Sequence, residues 1–416
     1  MSRPAMVGGR ACVYVCVCVC MCVGVCTGVA RTRTVSVTQM HGANYMKPSH
    51  GFFAHTHPLQ MPPARLAVRP LAQPSLSRGR PGGRVNLFLR RRAPPPTTLP
   101  AAASTNPALL TSSRQTVRLP DGGTLEVLSA TAAPSASTAR RPPLLFIHGS
   151  AHAAWCWTEH WQQWFAERGH ASHAVSLRGR GGSGPPPPGA KAGGTLASHA
   201  ADIAAVVAAG YGLKDPQGKG PPPLPPILVG HSFGGLVAQR LAAEPAATAP
   251  LSGLILAASV PPSGNGAMIK RIAAERGLWA SAVMTADFIF KTYRKSPRAA
   301  RRLFFSDAMP EDEVERLMAV LASQDGDTPV IDVRAINSEL PVRPPGRPFM
   351  PALVLGGAAD KIVDLGGLQE SADAVGAGAP VVLEGLAHDL MLDVGWVAAA
   401  EVVEAWLCGQ RTFCKS

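Results

Sequence analysis

The amino-acid sequence predicts an α/β fold, with a mostly parallel central sheet, helices on both of its faces and a helical insertion. Three observations predict it. Short, uniformly apolar runs alternate with helical patterns from Leu144 to Leu407, as strands covered on both faces do when crossover helices join them. Charge and cysteine imbalance lie almost wholly ahead of that region. Residues 263–342 carry helical patterns and no clear strand, so they interrupt the alternation and read as a lid over the strand ends.

The chain has 40 Lys and Arg against 27 Asp and Glu, but residues 1–120 hold 15 basic residues and no acidic one. The remainder, 25 basic against 27 acidic, is near neutral, which excludes a basic nucleic-acid face on the folded part. Six of the nine cysteines (Cys12, Cys16, Cys18, Cys20, Cys22, Cys26) also sit at the front, and Cys156, Cys408 and Cys414 make no disulfide framework.

Residues 1–113 are therefore expected to be a disordered basic leader. Cys12 to Ala30 is long and apolar enough for a membrane span or a secretory core. Its Val/Cys alternation at 12–26 is instead what a translated dinucleotide repeat produces, and Met40, Met46 and Met61 are alternative starts. The acid-free, Arg- and Ser-rich composition that follows reads as an organelle transit peptide. A chloroplast is the first destination expected, with a mitochondrion or a membrane anchor as alternatives. A basic arm touching RNA or lipid is the bland reading, and the spacing of His55 and His57 is more simply a solvated pair than a metal site.

The folded domain is expected over 114–416. Thr116 to Leu119 and Thr124 to Leu128 flank Asp121-Gly122-Gly123, a hairpin signature. Leu144 to Ile147 is a buried strand, Trp155 to Glu167 is helical, Ser172 to Leu177 is a strand, and Thr195 to Ala209 is a helix. Ile227 to Val229 and Gly253 to Ala258 are further strands, separated by a helix at Leu236 to Ala243. Within the insertion, at about 263–342, helices are expected at Ala267 to Leu278, Val283 to Tyr293 and Glu311 to Ser323. Strands at Ala352 to Leu355 and Val381 to Leu383, each followed by a helix, complete the chain, and the Pro runs at 185–188, 221–226 and 344–345 mark loops.

The sharpest chemical signal is Gly230-His231-Ser232-Phe233-Gly234-Gly235 between a strand and a helix. A serine at such a turn is held in a strained conformation with its Oγ exposed, and small residues such as Gly230 and Gly234 let strand and helix approach. A serine needs a base, and His388 follows a strand at the same predicted sheet edge. Asp360, just after the preceding strand, would orient it, with Asp364 as the alternate and Asp389 also available. Near the start of the sheet, Gly149 lets the chain bend so that the N–H of Ser150, with that of Phe233, would form an oxyanion hole. Each such donor is worth roughly 3 to 4 kcal/mol in a transition state. His148 reads as a loop-holding residue, Trp155 and Trp157 as core, and Cys156 as a small buried hydrophobe. Trp279, Phe288, Phe290, Phe304 and Phe305 divide between insertion core and acyl pocket. Lys270, Arg271, Arg301 and Arg302 face either solvent or an anionic substrate, solvent being preferred.

These features together resemble the α/β-hydrolase superfamily. The chain order Ser232, Asp360, His388 is its order. The segment from Phe146 to Trp157 is similar to the H-G-x-x-H-x-x-W-x-W stretch of plant methylesterase and hydroxynitrile-lyase-like proteins and of lysophospholipase-like hydrolases. Leu177-Arg178-Gly179-Arg180-Gly181-Gly182-Ser183 is similar to the superfamily's R-G-x-G-x-S loop. The likeness spans about Pro142 to Trp406 without the insertion. It departs in the longer Pro loops and in Leu177, where Asp is frequent.

Serine at the elbow points away from epoxide hydrolases and dehalogenases, which need Asp there. The implied activity is hydrolysis of a carboxylic ester, lipid or small and apolar, through an acyl-enzyme on Ser232, with neither metal nor organic cofactor. Membrane association is compatible with this and not required. The competing readings are a ligand-binding receptor or scaffold with little turnover, and a lyase of the hydroxynitrile-lyase type.

Overall fold

The structure, a computed structural model, describes residues 110–132, 141–212, 224–244, 250–343 and 350–410. Residues 1–109 of the leader, with the Val/Cys repeat and the transit-peptide reading, the His55/His57 pair, most of the second Pro run, Pro344, Pro345 and Cys414 lie outside the described residues.

Two nine-residue strands, β1 (Leu110–Arg118) and β2 (Thr124–Ala132), form the expected hairpin. β1 opens at Leu110, inside the span assigned to the leader, because Leu110–Ser113 find ladder partners in Ser129–Ala132. Gly122 takes the positive φ of the turn, and Asp121 Oδ1 accepts the Gly123 N–H at 3.0 Å.

The remaining strands are β3 (Leu144–Ile147), β4 (Ser172–Val175), β5 (Ile227–His231), β6 (Gly253–Ala257), β7 (Ala352–Gly357) and β8 (Val381–Leu383). The order is β1-β2-β4-β3-β5-β6-β7-β8, with β2 antiparallel to its neighbours and β4 through β8 mutually parallel. Alternate residues of the central strands feed two apolar layers. Leu144 and Phe146 join Trp157, Trp161 and Phe165 on one face, while Leu145 and Ile147 join Ile203, Leu236 and Leu368 on the other. This explains the uniformly apolar runs: neither face meets water.

The covering helices are α1 (Trp155–Thr158), α2 (Trp161–Glu167), α3 (Leu196–Ala208) and α4 (Phe233–Ala242). The Thr195 hydroxyl caps α3 in a reciprocal box with Ser198. The insertion between β6 and β7 holds α5 (Asn265–Arg276), α6 (Leu278–Ile289), α7 (Pro297–Phe304), α8 (Glu311–Gln324) and α9 (Val333–Glu339). Gly277, at φ 89°, separates α5 from α6. Then come α10 (Leu365–Val375) and α11 (Trp396–Gly409). Tyr293, Leu303, Phe304, Phe305, Leu317 and Leu321 join the first apolar layer, so the insertion shares the core of the sheet. No helix among the described residues is long and apolar enough to cross a membrane.

Candidate active site

The strand β5 ends at His231, and Ser232 turns the chain into α4 with φ 53° and ψ −122°, a conformation that costs an L-residue about 1–3 kcal/mol. The surroundings hold it there. The Ser232 N–H donates to Ala257 O (3.2 Å), and its carbonyl accepts the N–H groups of Gly235 and Val260, each at 3.0 Å. A Cβ at Gly230 would stand 2.5 Å from Gly235 Cα, and one at Gly234 would run into the Ile147 and His148 carbonyls. Ser232 Oγ makes no hydrogen bond among the described residues and is partly exposed.

Asp360 and His388 emerge from the loops after β7 and β8 and meet. His388 Nδ1 lies 2.9 Å from Asp360 Oδ2, both side chains being buried. A carboxylate only accepts, so Nδ1 carries the proton and Nε2 presents its lone pair in the neutral ring. The other oxygen, Oδ1, accepts the N–H groups of Ile362 (2.7 Å) and Val363 (3.0 Å), which fixes the carboxylate plane. The His388 loop is bound directly to the serine turn. His231 Nε2, one residue before Ser232, donates to the His388 carbonyl at 3.0 Å, and the two imidazole centroids are 4.7 Å apart. Asp364 is engaged elsewhere: it caps α10 through the Gly367 N–H and pairs with Arg271 at 2.6 Å.

Burial alone would push the His388 pKa down. The charge and hydrogen bond of Asp360, aided by Asp389, outweigh it, and the imidazole sits above the usual histidine value. His231 goes the other way: burial, then repulsion from His388, brings it down to about 3. It is a neutral hydrogen-bond donor at any physiological pH.

The Ser150 and Phe233 N–H groups make no hydrogen bond among the described residues. That of Phe233 is free because the first turn of a helix has no acceptors for its donors. Gly149 brings the two loops together, since a Cβ there would lie 2.9 Å from the Ser232 Cβ. His148 secures this bend: its Nδ1 donates to Gly149 O (2.7 Å) and its Nε2 accepts the Leu177 N–H (2.9 Å).

One group was not assigned from the sequence. His152 Nε2 lies 2.8 Å from Asp389 Oδ2, and His231 Nε2 lies 3.6 Å from Oδ1, all three residues being buried. Asp389 thus connects the loop after β3, the serine turn and the His388 loop. His152 Nε2 is directed at Asp389 Oδ2 and His231 Nε2 at the His388 carbonyl, so the trio ties the three loops together, while Asp389 Oδ1 is buried without a hydrogen-bond partner among the described residues. The signal was the second histidine of His148-Gly149-Ser150-Ala151-His152, whose partner 237 residues away no spacing indicates.

The aromatic residues of the insertion also separate. Phe304 is buried with its ring edge-on to that of His152, the centroids 5.3 Å apart, Phe305 is buried, and Phe288 packs on the core, whereas Trp279 and Phe290 face solvent. Arg271, Arg301 and Arg302 are bound to Asp364, Glu311 and Asp287, and Lys270 is exposed. Trp155, Trp157 and Cys156 are core, and burial holds the Cys156 thiol well above its usual range.

Among solved structures, an esterase from Exiguobacterium antarcticum superposes with a TM-score of 0.50 at 16% identity, covering 71% of this chain and all of that one. An epoxide hydrolase from an endophytic Streptomyces gives 0.50 at 20%, covering 72% and 96%. Epoxide Hydrolase A from Mycobacterium thermoresistibile gives 0.50 at 18%, covering 72% and 99%. At these identities the likeness is one of fold. No curated protein matches by sequence. The sequence profile described as Alpha/beta hydrolase family matches residues 144–405, from the first parallel strand into the last helix, and the chain belongs to that family.

Proposed function

We propose that the protein is a serine hydrolase of carboxylic esters, lipid or small and apolar. One observation carries the reading: Ser232 stands in a strained turn with a free Oγ, beside a buried His388–Asp360 pair and two unused N–H groups. In the proposed reaction Ser232 Oγ attacks the ester carbonyl as His388 Nε2 takes its proton, and Asp360 stabilises the imidazolium. The N–H groups of Ser150 and Phe233 receive the oxyanion. Collapse breaks the bond to the alcohol, which leaves with the proton from His388, and water then repeats the sequence on the acyl-enzyme. Serine at the elbow supports ester chemistry over epoxide opening, where a carboxylate nucleophile is required.

A fluorophosphonate probe should label the wild-type protein at Ser232 and leave Ser232→Ala unlabelled. Equal labelling of both removes the nucleophile. Labelling without turnover across an ester panel favours a receptor, and cleavage without a trappable acyl-enzyme favours a lyase.

A further inference from the structure

Seven large apolar side chains stand exposed among the described residues, and four of them fall within residues 278–290: Leu278 (75% exposed), Trp279 (81%), Ile289 (49%) and Phe290 (64%). They share one side of α6. With a turn of about 100° per residue, Leu278, Ile289 and the exposed Ala282 point within about 40° of each other, and Trp279 and Phe290 follow at about 100–120°. Asp287, the one buried residue of the helix, lies opposite and is held by Arg302 (2.8 Å) and the Thr292 hydroxyl. Met284 and Phe288 on the inner side pack against the core. The helix is therefore fastened by an ion pair within and turns its apolar side outward, the reverse of an ordinary surface helix. A patch of this kind marks an interaction surface.

The charges beside it indicate the partner. Lys270 and Arg276 before the helix, and Lys295 and Arg298 after it, are exposed and form no salt bridge among the described residues. Glu275 is the only exposed acid in residues 265–298. An apolar strip between cations complements an anionic lipid leaflet, where side chains enter the acyl boundary and Lys or Arg meet phosphate. A second copy of this chain would bring like charges together. Arg276, two residues before Leu278, donates to the Asp360 carbonyl at 3.0 Å, so the strip begins beside the proposed site.

We propose that α6 docks the protein on an anionic lipid surface and that the esters it cleaves are presented in that layer. The substrate class rests on the proposed ester hydrolysis; the docking does not. The test uses the full chain with vesicles of phosphatidylcholine, with and without phosphatidylglycerol, read by co-sedimentation and by Trp279 emission. Wild type should bind the anionic vesicles with a blue shift. Leu278→Ser/Ile289→Ser/Phe290→Ser, which keeps the reporter tryptophan, should bind at least about tenfold more weakly and lose the shift. Its turnover of a soluble short-chain ester should stay at the wild-type level, which also shows that it is folded. Lys295→Glu/Arg298→Glu should lose the preference for anionic vesicles. Undiminished binding by the triple variant would overturn the docking, as would a dimer, abolished by the same substitutions, in a protein that ignores vesicles. Vesicle binding without any ester turnover would sink the ester chemistry and leave the docking standing.

Discussion

At the scale of single residues, the Asp360–His388 pair sets both the orientation of a ring and the pH at which it accepts a proton. Because Asp360 raises the imidazole above the usual histidine value against the cost of burial, kcat/KM for a neutral ester should climb with pH through a midpoint above about 6.5. Asp360→Asn removes the stabilising charge while keeping the volume. Its midpoint should move to lower pH, because burial then dominates, and kcat should fall by about 10³ to 10⁴ as the tautomer is lost. A pH–rate profile with the same midpoint in both proteins would mean that Asp360 does not act on the base. Asp364, four residues on, is the internal control: its carboxylate is spent on a helix cap and Arg271, so Asp364→Asn should leave the midpoint where it is.

At the scale of elements, the insertion is fastened to the body by buried carboxylates. Asp325, just after α8, receives the Tyr293 hydroxyl at 2.8 Å and faces Lys291 (3.1 Å), Arg180 (3.2 Å) and Arg294 (3.3 Å). Arg180 belongs to the body loop after β4 and is fully buried, so Asp325→Ala would strand an uncompensated cation in the interface. Loss of a partner from such a pair costs about 3–5 kcal/mol, visible as a lower urea midpoint with early proteolysis within residues 278–324. A loss under about 1 kcal/mol would show that water already screens these charges. Asp393 makes a second fastening, accepting the Ser306 N–H and hydroxyl and the Ala387 N–H at 2.7–2.9 Å. Little of this was legible. The strands were, because a buried parallel strand is apolar at every position, and so was the serine turn, because few residues other than glycine fit at positions 230 and 234. Asp360 was placed by sheet logic, since loops after parallel strands gather at one edge. The Asp389 tie and the Asp325 cluster depend on partners far apart in the chain, which no local pattern encodes. Helix α7 hid behind its arginines. The outward turn of α6 was not legible either, because periodicity finds an apolar side without saying which way it faces, and its inner anchor is an acid.

For the whole molecule, the buried histidines set the acid limit. His231 is pushed down to about 3, and His170 and His173 to about 4, each mainly by burial, and His148 and His199 are lowered for the same first reason. A histidine with a depressed native pKa stays neutral in the fold while its unfolded counterpart takes up a proton below about pH 6.5. Unfolding then binds protons, so stability falls as pH drops from about 6.5 toward the native values, by about 1.4 kcal/mol per pH unit for each such residue. His388 has the opposite sign: its raised pKa stabilises the fold fully below about 6.5 and ceases to do so as pH rises through the native value. One residue of that kind does not offset five of the other. With His170, His173 and His231 acting together, the slope below pH 5.5 reaches about 4 kcal/mol per unit, against a total stability of about 5–15 kcal/mol. The urea midpoint should therefore fall only modestly as pH rises above about 6.5, where His388 alone loses its contribution, drop steeply below about 6, and vanish near pH 4 to 5. His173→Gln removes one depressed histidine from its stacking partner Tyr211, 4.2 Å away, and from the Ser129 hydroxyl at 2.8 Å. It should lower the midpoint at pH 7.5 yet flatten its fall between pH 6 and 5 by about one histidine's share, about 1.4 kcal/mol per unit. Parallel curves for variant and wild type would mean that His173 takes up its proton in the native state as readily as in the unfolded chain and has no part in the acid limit.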